Sequence, residues 1–87
     1  MLIDIVEVSV RPEYKLFVRF EDGICGEVDV AAATKFAGIF SALRDETFFS
    51  TVVVNTELGT IQWSNGADLD PDVLYAELTG QRVQLAA

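Results

Sequence analysis

Two alternating apolar runs separated by a short polar turn constrain this chain more than any other feature. The first run has apolar residues at Leu16, Val18 and Phe20, and the second begins at Ile24 and continues through residues 28 and 30. Alternation with a period of two is typical of strands that bury one face. The pattern therefore predicts an antiparallel hairpin.

The length of the turn decides whether the two apolar sets share a face. A two-residue turn would pair Phe20 with Cys25 and place the sets on opposite sides of the sheet. A three-residue loop over residues 21–23 pairs Phe20 with Ile24 and places both sets on one side. Because a slip of one residue inverts every side chain, we predict the second register, with Gly23 in a left-handed conformation.

This register also defines the opposite face of the sheet. It sets Lys15 across from Asp29, a favourable pair of charges, and leaves Phe17 and Cys25 pointing away from the predicted core. An aromatic residue on a polar face is either covered by a helix or available to a partner. Both alternatives are open for Phe17.

A third strand precedes the hairpin, because Val6, Val8 and Val10 alternate with polar residues up to a turn over residues 11–14 that contains Pro12. The three runs together predict an antiparallel meander.

The middle of the chain changes period. The spacing of Ile39, Phe40 and Leu43 predicts one face of a short helix, and Asp45 is suited to cap a further turn. Residues 52–54 and 60–63 then predict a second hairpin whose register the sequence does not fix, because three consecutive valines do not alternate. Trp63, at its end, is expected in the core, with a binding-surface anchor as the alternative.

The last helix has clear boundaries. Asp70 is the expected N-cap, Pro71 the first helical residue and Asp72 an acid of the first turn, and Gly80 suits the C-terminal cap. We therefore predict one α+β domain over residues 1–80, consisting of the meander, a helical middle, a second hairpin and a C-terminal helix. Residues 81–87 are expected to form a tail.

Carboxylates at Asp68, Asp70 and Asp72 resemble the start of a calcium loop. However, Val73 stands where that loop has glycine and Thr79 where it has glutamate, and acids at a helix start are explained by capping. We expect no metal and no cofactor.

The net charge is −8, from fourteen acidic and six basic residues. Such a chain is repelled by nucleic-acid phosphates and by anionic membranes. It suits a basic protein partner, and solubility alone explains the charge equally well. The basic residues are also scattered, and Glu7, Glu27 and Asp29 neutralise those on the sheet. Direct nucleic-acid and membrane binding are therefore not expected.

The same composition argues against an enzyme. The chain has no histidine, no phosphate-binding or nucleophile motif, and a single cysteine, Cys25, without a base to activate it. We expect a packed, inert thiol and no catalytic residues. One cysteine and no signal peptide or apolar span favour the cytoplasm.

Three segments resemble one known family. The pattern L-x-V-x-F-x-D-G at residues 16–23, followed by V-D, resembles the opening of the domain-of-unknown-function 2442 family. The spacing of Phe40, Leu43, Asp45 and Phe48 resembles its middle, and the pattern I-x-W-x-N-G-x-D-L-x-P at residues 61–71, followed by L-Y, resembles its closing motif. The resemblance spans about residues 3 to 78.

The resemblance implies a small α+β fold in bacterial proteins that are biochemically uncharacterised. It also suggests an antitoxin-like role, because some members are encoded near small toxin-like proteins. Other members carry a helix-turn-helix domain, which we do not expect here because only twelve residues follow Tyr75.

The sequence thus predicts a non-enzymatic interaction module, and we expect an acidic, antitoxin-like partner of a small basic protein. The alternative is a structural or regulatory homodimer that uses an open strand edge or the face around Phe17. A small-molecule or metal-binding domain is a third class. The candidate contact residues form two sets: Phe17, Glu27 and Asp29 on the sheet, and Asp68, Asp70 and Asp72 at the helix start.

Overall fold

The computed structural model describes residues 3–80, and these form the predicted α+β fold. In chain order the elements are β1 (Ile5–Arg11), β2 (Lys15–Phe20), β3 (Cys25–Asp29), α1 (Val30–Thr34), a 3₁₀ helix (Gly38–Arg44), α2 (Glu46–Phe49), β4 (Val53–Asn55), β5 (Thr60–Gln62) and α3 (Pro71–Thr79). The predicted tail, residues 81–87, lies outside the described residues.

The first three strands form an antiparallel sheet in the order β1-β2-β3, with the predicted hairpin register. The Phe20 N–H donates to the Ile24 carbonyl over 2.8 Å, and Lys15 lies opposite Asp29. Gly23 has a φ of 95°, in the left-handed region that the three-residue loop requires. Leu16, Val18, Phe20 and Val28 are buried together, which confirms the argument from a shared apolar face.

Strand β1 differs from the prediction at its start. Ile5 pairs with Phe20 and Glu7 pairs with Arg19, so that Val6 is the extra residue of a β-bulge. Ile5 is buried, whereas 52% of Val6 is exposed. The prediction that Val6 belongs to the inner apolar face is therefore wrong, because the bulge moves Ile5 into that place.

The helical middle is more irregular than predicted. Asp29 ends β3 and caps α1, since its Oδ1 accepts the Ala32 N–H over 3.0 Å. Residues 38–44 form a 3₁₀ helix that buries Leu43 and leaves Ile39 exposed, so the predicted shared face of these two residues is wrong. Asp45 caps α2 as predicted.

The second hairpin forms a separate two-stranded sheet in which Val54 lies opposite Ile61. It is joined to the meander where the Ile5 N–H donates to the Gly59 carbonyl over 2.9 Å. Trp63 is buried, as expected, and its indole N–H donates to the Phe49 carbonyl over 2.9 Å. The core therefore lies between the inner face of the meander, the helical middle and the second sheet.

Helix α3 closes the core on the β3 side. Asp70 is its N-cap, Pro71 its first residue and Gly80 its C-cap, all as predicted. Leu74 is buried, and Leu78 lies against the backbone of Gly26. Among residues 3–80, no helix is both long and apolar enough to cross a membrane.

Candidate interaction surfaces

One face of the three-stranded sheet points away from the core, and we call it the outer sheet face. None of its nine residues is buried. Pairing arranges them in three rows across the strands. The rows are Glu7–Arg19–Cys25, Ser9–Phe17–Glu27 and Arg11–Lys15–Asp29.

Phe17 lies at the centre of this face and is half-buried. The guanidinium carbons of Arg11 and Arg19 lie 5.2 Å and 5.8 Å from its ring centroid, both within cation–π range. Within residues 3–80 its cover is therefore these two arginines of the same sheet rather than a helix.

Ion pairs hold the basic residues of the outer sheet face in place. Nε of Arg19 lies 2.8 Å from Oε1 of Glu7, and this hydrogen bond, with the glutamate charge, raises the pKa of Arg19. Nε of Arg11 lies 3.8 Å from Oε2 of Glu27. Three basic and three acidic residues share the face, so its net charge is close to zero.

The surroundings of Cys25 and Asp29 on the outer sheet face differ from those expected. Cys25 is exposed beside Arg19, so the expectation of a packed thiol is wrong, because the first position of an edge strand has no layer above it. Asp29 lies opposite Lys15 as predicted, yet its carboxylate caps α1, while Lys15 Nζ lies 3.9 Å from Glu13.

Six carboxylates lie on segments that hydrogen bonds connect between the hairpin turn and the start of α3, and we call this surface the acidic end. Its members are Asp4, Glu21, Asp22, Asp68, Asp70 and Asp72, of which all but the half-buried Asp72 are exposed.

Hydrogen bonds bring these distant parts of the chain together. The Asp4 N–H donates to the Glu21 carboxylate over 2.8 Å, and the Glu21 N–H donates to the Asp4 carbonyl over 2.9 Å. The Tyr75 hydroxyl donates to the Asp22 carboxylate, which fixes α3 beside the hairpin turn. Asp72 lies one turn before Tyr75 on the same side of α3.

The second sheet connects the start of α3 to the segment that contains Asp4. The Thr60 hydroxyl donates to the Leu69 carbonyl, and Leu69 stands between Asp68 and Asp70. Thr60 follows Gly59, whose carbonyl binds the Ile5 N–H next to Asp4. Because Gly59 and Thr60 are neighbours, these two hydrogen bonds place the helix-start acids near Asp4.

Hydrogen bonding shifts two pKa values at the acidic end. The hydroxyl of Tyr75, with the backbone N–H of Ile24, lowers the pKa of Asp22 below its usual range. The same hydrogen bond from Tyr75 to the carboxylate, with partial burial, raises the pKa of the Tyr75 phenol. Both shifts favour a neutral phenol that donates to a charged carboxylate.

The three predicted helix-start acids make different contacts. Asp70 accepts the Asp72 N–H over 2.9 Å as the cap of α3, and Asp68 forms an isolated bridge with Gln62. In the described part of the chain, no three His, Cys, Asp or Glu side chains are placed so that they could hold one metal ion together, and no pocket is found there.

The sequence interpretation included half of the acidic end and missed Asp4, Glu21, Asp22 and Tyr75. The D-G turn identified Asp22 as a turn residue, but no local pattern relates it to Tyr75, which lies 53 residues further along the chain.

One comparison with known proteins gives a match. A family model described as a protein of unknown function (DUF2442) matches residues 5–80, nearly the whole chain. No curated protein and no solved structure has significant similarity to it.

Proposed function

The chain belongs to the DUF2442 family of proteins of unknown function, and we propose that it is a non-enzymatic interaction module whose acidic end binds a small basic protein. In this proposal the chain acts as an antitoxin-like, neutralising partner. The chemistry of recognition is that of a carboxylate-rich surface with apolar neighbours meeting lysine and arginine side chains.

The observation that carries the proposal is the separation of charge on the surface. The outer sheet face has acids and bases in equal number, so the net charge of −8 is carried by the rest of the molecule. Six carboxylates of the acidic end contribute most of it. A field of one sign raises the association rate with an oppositely charged partner.

Exposed apolar residues next to the acidic end provide the second component. Val6, Leu58 and Val73 are 52%, 62% and 55% exposed. Val6 and Leu58 are next to Ile5 and Gly59, whose backbones are hydrogen-bonded to each other. Val73 follows Asp72 in α3. Acids for steering and apolar side chains for burial together are what a docking surface for a protein requires.

The outer sheet face fits a basic partner less well. Glu27 is already paired with Arg11, and Asp29 caps α1. The three basic residues of this face, Arg11, Lys15 and Arg19, would also repel a basic partner. Of the two predicted contact sets, the proposal therefore retains Asp68, Asp70 and Asp72. It adds Asp4, Glu21 and Asp22, the other acids of the acidic end.

The test uses the small basic protein that co-purifies with the tagged chain from its native host, isolated and titrated by calorimetry. The double variant Glu21→Gln and Asp70→Asn removes two charges, and both amides still accept the native hydrogen bonds. The control variant Glu13→Gln and Glu46→Gln removes the same number of charges from exposed positions outside the acidic end.

We expect the acidic-end variant to bind roughly ten-fold or more weakly and the control roughly two-fold, with affinity falling as salt increases. Leu58→Ser should weaken binding without changing its salt dependence. Equal losses of affinity in both variants would mean that only the net charge matters, and they would reject the acidic end as the binding site. The absence of any stoichiometric basic partner would reject the proposed function.

A further inference from the structure

We propose that the outer sheet face is a weak interface with a second copy of this chain. This interface is distinct from the acidic end, so the two surfaces can be tested separately. The charge of the face, the arrangement of its three rows and its aromatic centre all favour such an interface.

The absence of net charge on the outer sheet face favours a second copy of the chain as its partner. Two chains that each carry a net charge of −8 repel one another over a Debye length, about 10 Å at 0.1 M salt. The repulsion is least where both molecules present a surface without net charge. With three basic and three acidic residues, the outer sheet face is such a surface. The same neutrality gives a basic protein no reason to prefer it.

The rows are self-complementary about a two-fold axis parallel to β2. Such an axis places the β1 residue of each row opposite the β3 residue of the same row in the second copy. Arg11 then faces Asp29, Ser9 faces Glu27 and Glu7 faces Cys25, each twice. The first two contacts are the favourable polar ones. Both contacts pair a donor with an acceptor.

The two Phe17 rings meet at the centre of this arrangement. The guanidinium groups of Arg11 and Arg19 already lie within cation–π range of each ring, so aromatic and guanidinium groups meet together at the axis. On this axis Arg19 faces Arg19 of the second copy, and Lys15 faces Lys15. Glu7 and Glu13 lie within 2.8 Å and 3.9 Å of them and offset that repulsion.

The size of the face sets the strength of the dimer. Nine side chains are fewer than the roughly 20–30 residues a side of a standard stable interface. The dimer should therefore be weak, with a dissociation constant on the order of 10 µM to 1 mM, and it should form reversibly with concentration.

Sedimentation equilibrium of the full chain over that concentration range tests the proposal at low and high salt. Phe17→Ser removes the central ring, and Ser9→Glu sets like charges opposite Glu27 without touching the core. Leu58→Ser is the control, because it removes an exposed apolar side chain outside this face. Circular dichroism and the thermal midpoint confirm that each variant is folded.

We expect both outer-face variants to weaken the dimer roughly ten-fold and Leu58→Ser to change it less than about two-fold. Added salt should leave the dimer as strong or stronger, since it screens the repulsion of two acidic chains. Binding of the basic partner should weaken under the same change. A chain that stays monomeric at about 1 mM in both salts, or a dimer that Leu58→Ser disrupts and Phe17→Ser does not, would overturn the inference.

Discussion

The Tyr75 hydroxyl donates a hydrogen bond to the Asp22 carboxylate, and it thereby joins the last helix to the turn of the first hairpin. The Tyr75 ring also packs edge-on against Phe20, with centroids 5.0 Å apart. One side chain therefore contributes an apolar contact to the core and a polar contact at the acidic end. The two contacts can be separated by substitution.

The first prediction concerns the phenol. Because the Asp22 carboxylate raises the pKa of Tyr75, Asp22→Asn should lower that pKa toward its usual value of 10.0. Ultraviolet titration measures the phenol directly, and Tyr75→Phe identifies which transition belongs to it. An unchanged titration in Asp22→Asn would mean that the hydrogen bond is not formed in solution.

The second prediction concerns stability in acid. The pKa of Asp22 is lowered in the folded protein, so its charged form stabilises the fold. This contribution is complete above the unfolded pKa of 3.8 and is lost as the pH falls through the lower folded value. Tyr75→Phe removes the main cause of the shift, so urea unfolding should show a smaller loss of stability in acid than in the wild-type chain. Equal acid dependence in both chains would contradict the assignment.

The hairpin register could be predicted because one face is apolar throughout. A slip of one residue would expose Leu16, Val18 and Phe20 together, so the pattern permits only one pairing with Ile24. The boundaries of α3 were equally accessible, since Asp70 and Gly80 act locally through capping.

Other elements depend on contacts that local patterns do not contain. At the bulge beside Val6, Ile5 pairs with Phe20 and its N–H donates to Gly59, two long-range contacts of which the valine alternation gives no sign. Residues 38–44 satisfy helical spacing, yet they form a 3₁₀ helix in which Ile39 is exposed. The tertiary packing around Leu43 decides the outcome there.

Of the two candidate surfaces, the sequence predicts the outer sheet face better than the acidic end. Phe17, Glu27 and Asp29 share a face because strand pairing is regular, and the sequence identified that face. The acidic end combines residues from the hairpin turn and from α3, and only the tertiary fold brings Asp22 and Tyr75 together.

The third prediction separates backbone strain from crowding at two glycines. Gly59 and Gly80 both have a φ of 71°, a conformation that costs an alanine about 1 kcal/mol. A Cβ on Gly80 would meet nothing within 4 Å, whereas one on Gly59 would collide with the Asp4 side chain. Gly59→Ala should therefore destabilise the fold by about 1–2 kcal/mol more than Gly80→Ala, measured by urea unfolding. Adding Asp4→Ala should remove most of the difference, and equal costs at the two glycines would contradict the placement of Asp4.

The fourth prediction tests how α3 contributes to the core. Leu74 is 2% exposed and Val73, its neighbour on the helix, is 55% exposed. Leu74→Ala removes buried apolar surface and leaves a cavity, so it should cost about 2–4 kcal/mol. Val73→Ala should change stability by less than about 0.5 kcal/mol, because it removes no core contact and alanine favours the helix. Fluorescence of the buried Trp63 follows the unfolding of the core in both variants, and similar costs at the two positions would show that α3 does not pack as described.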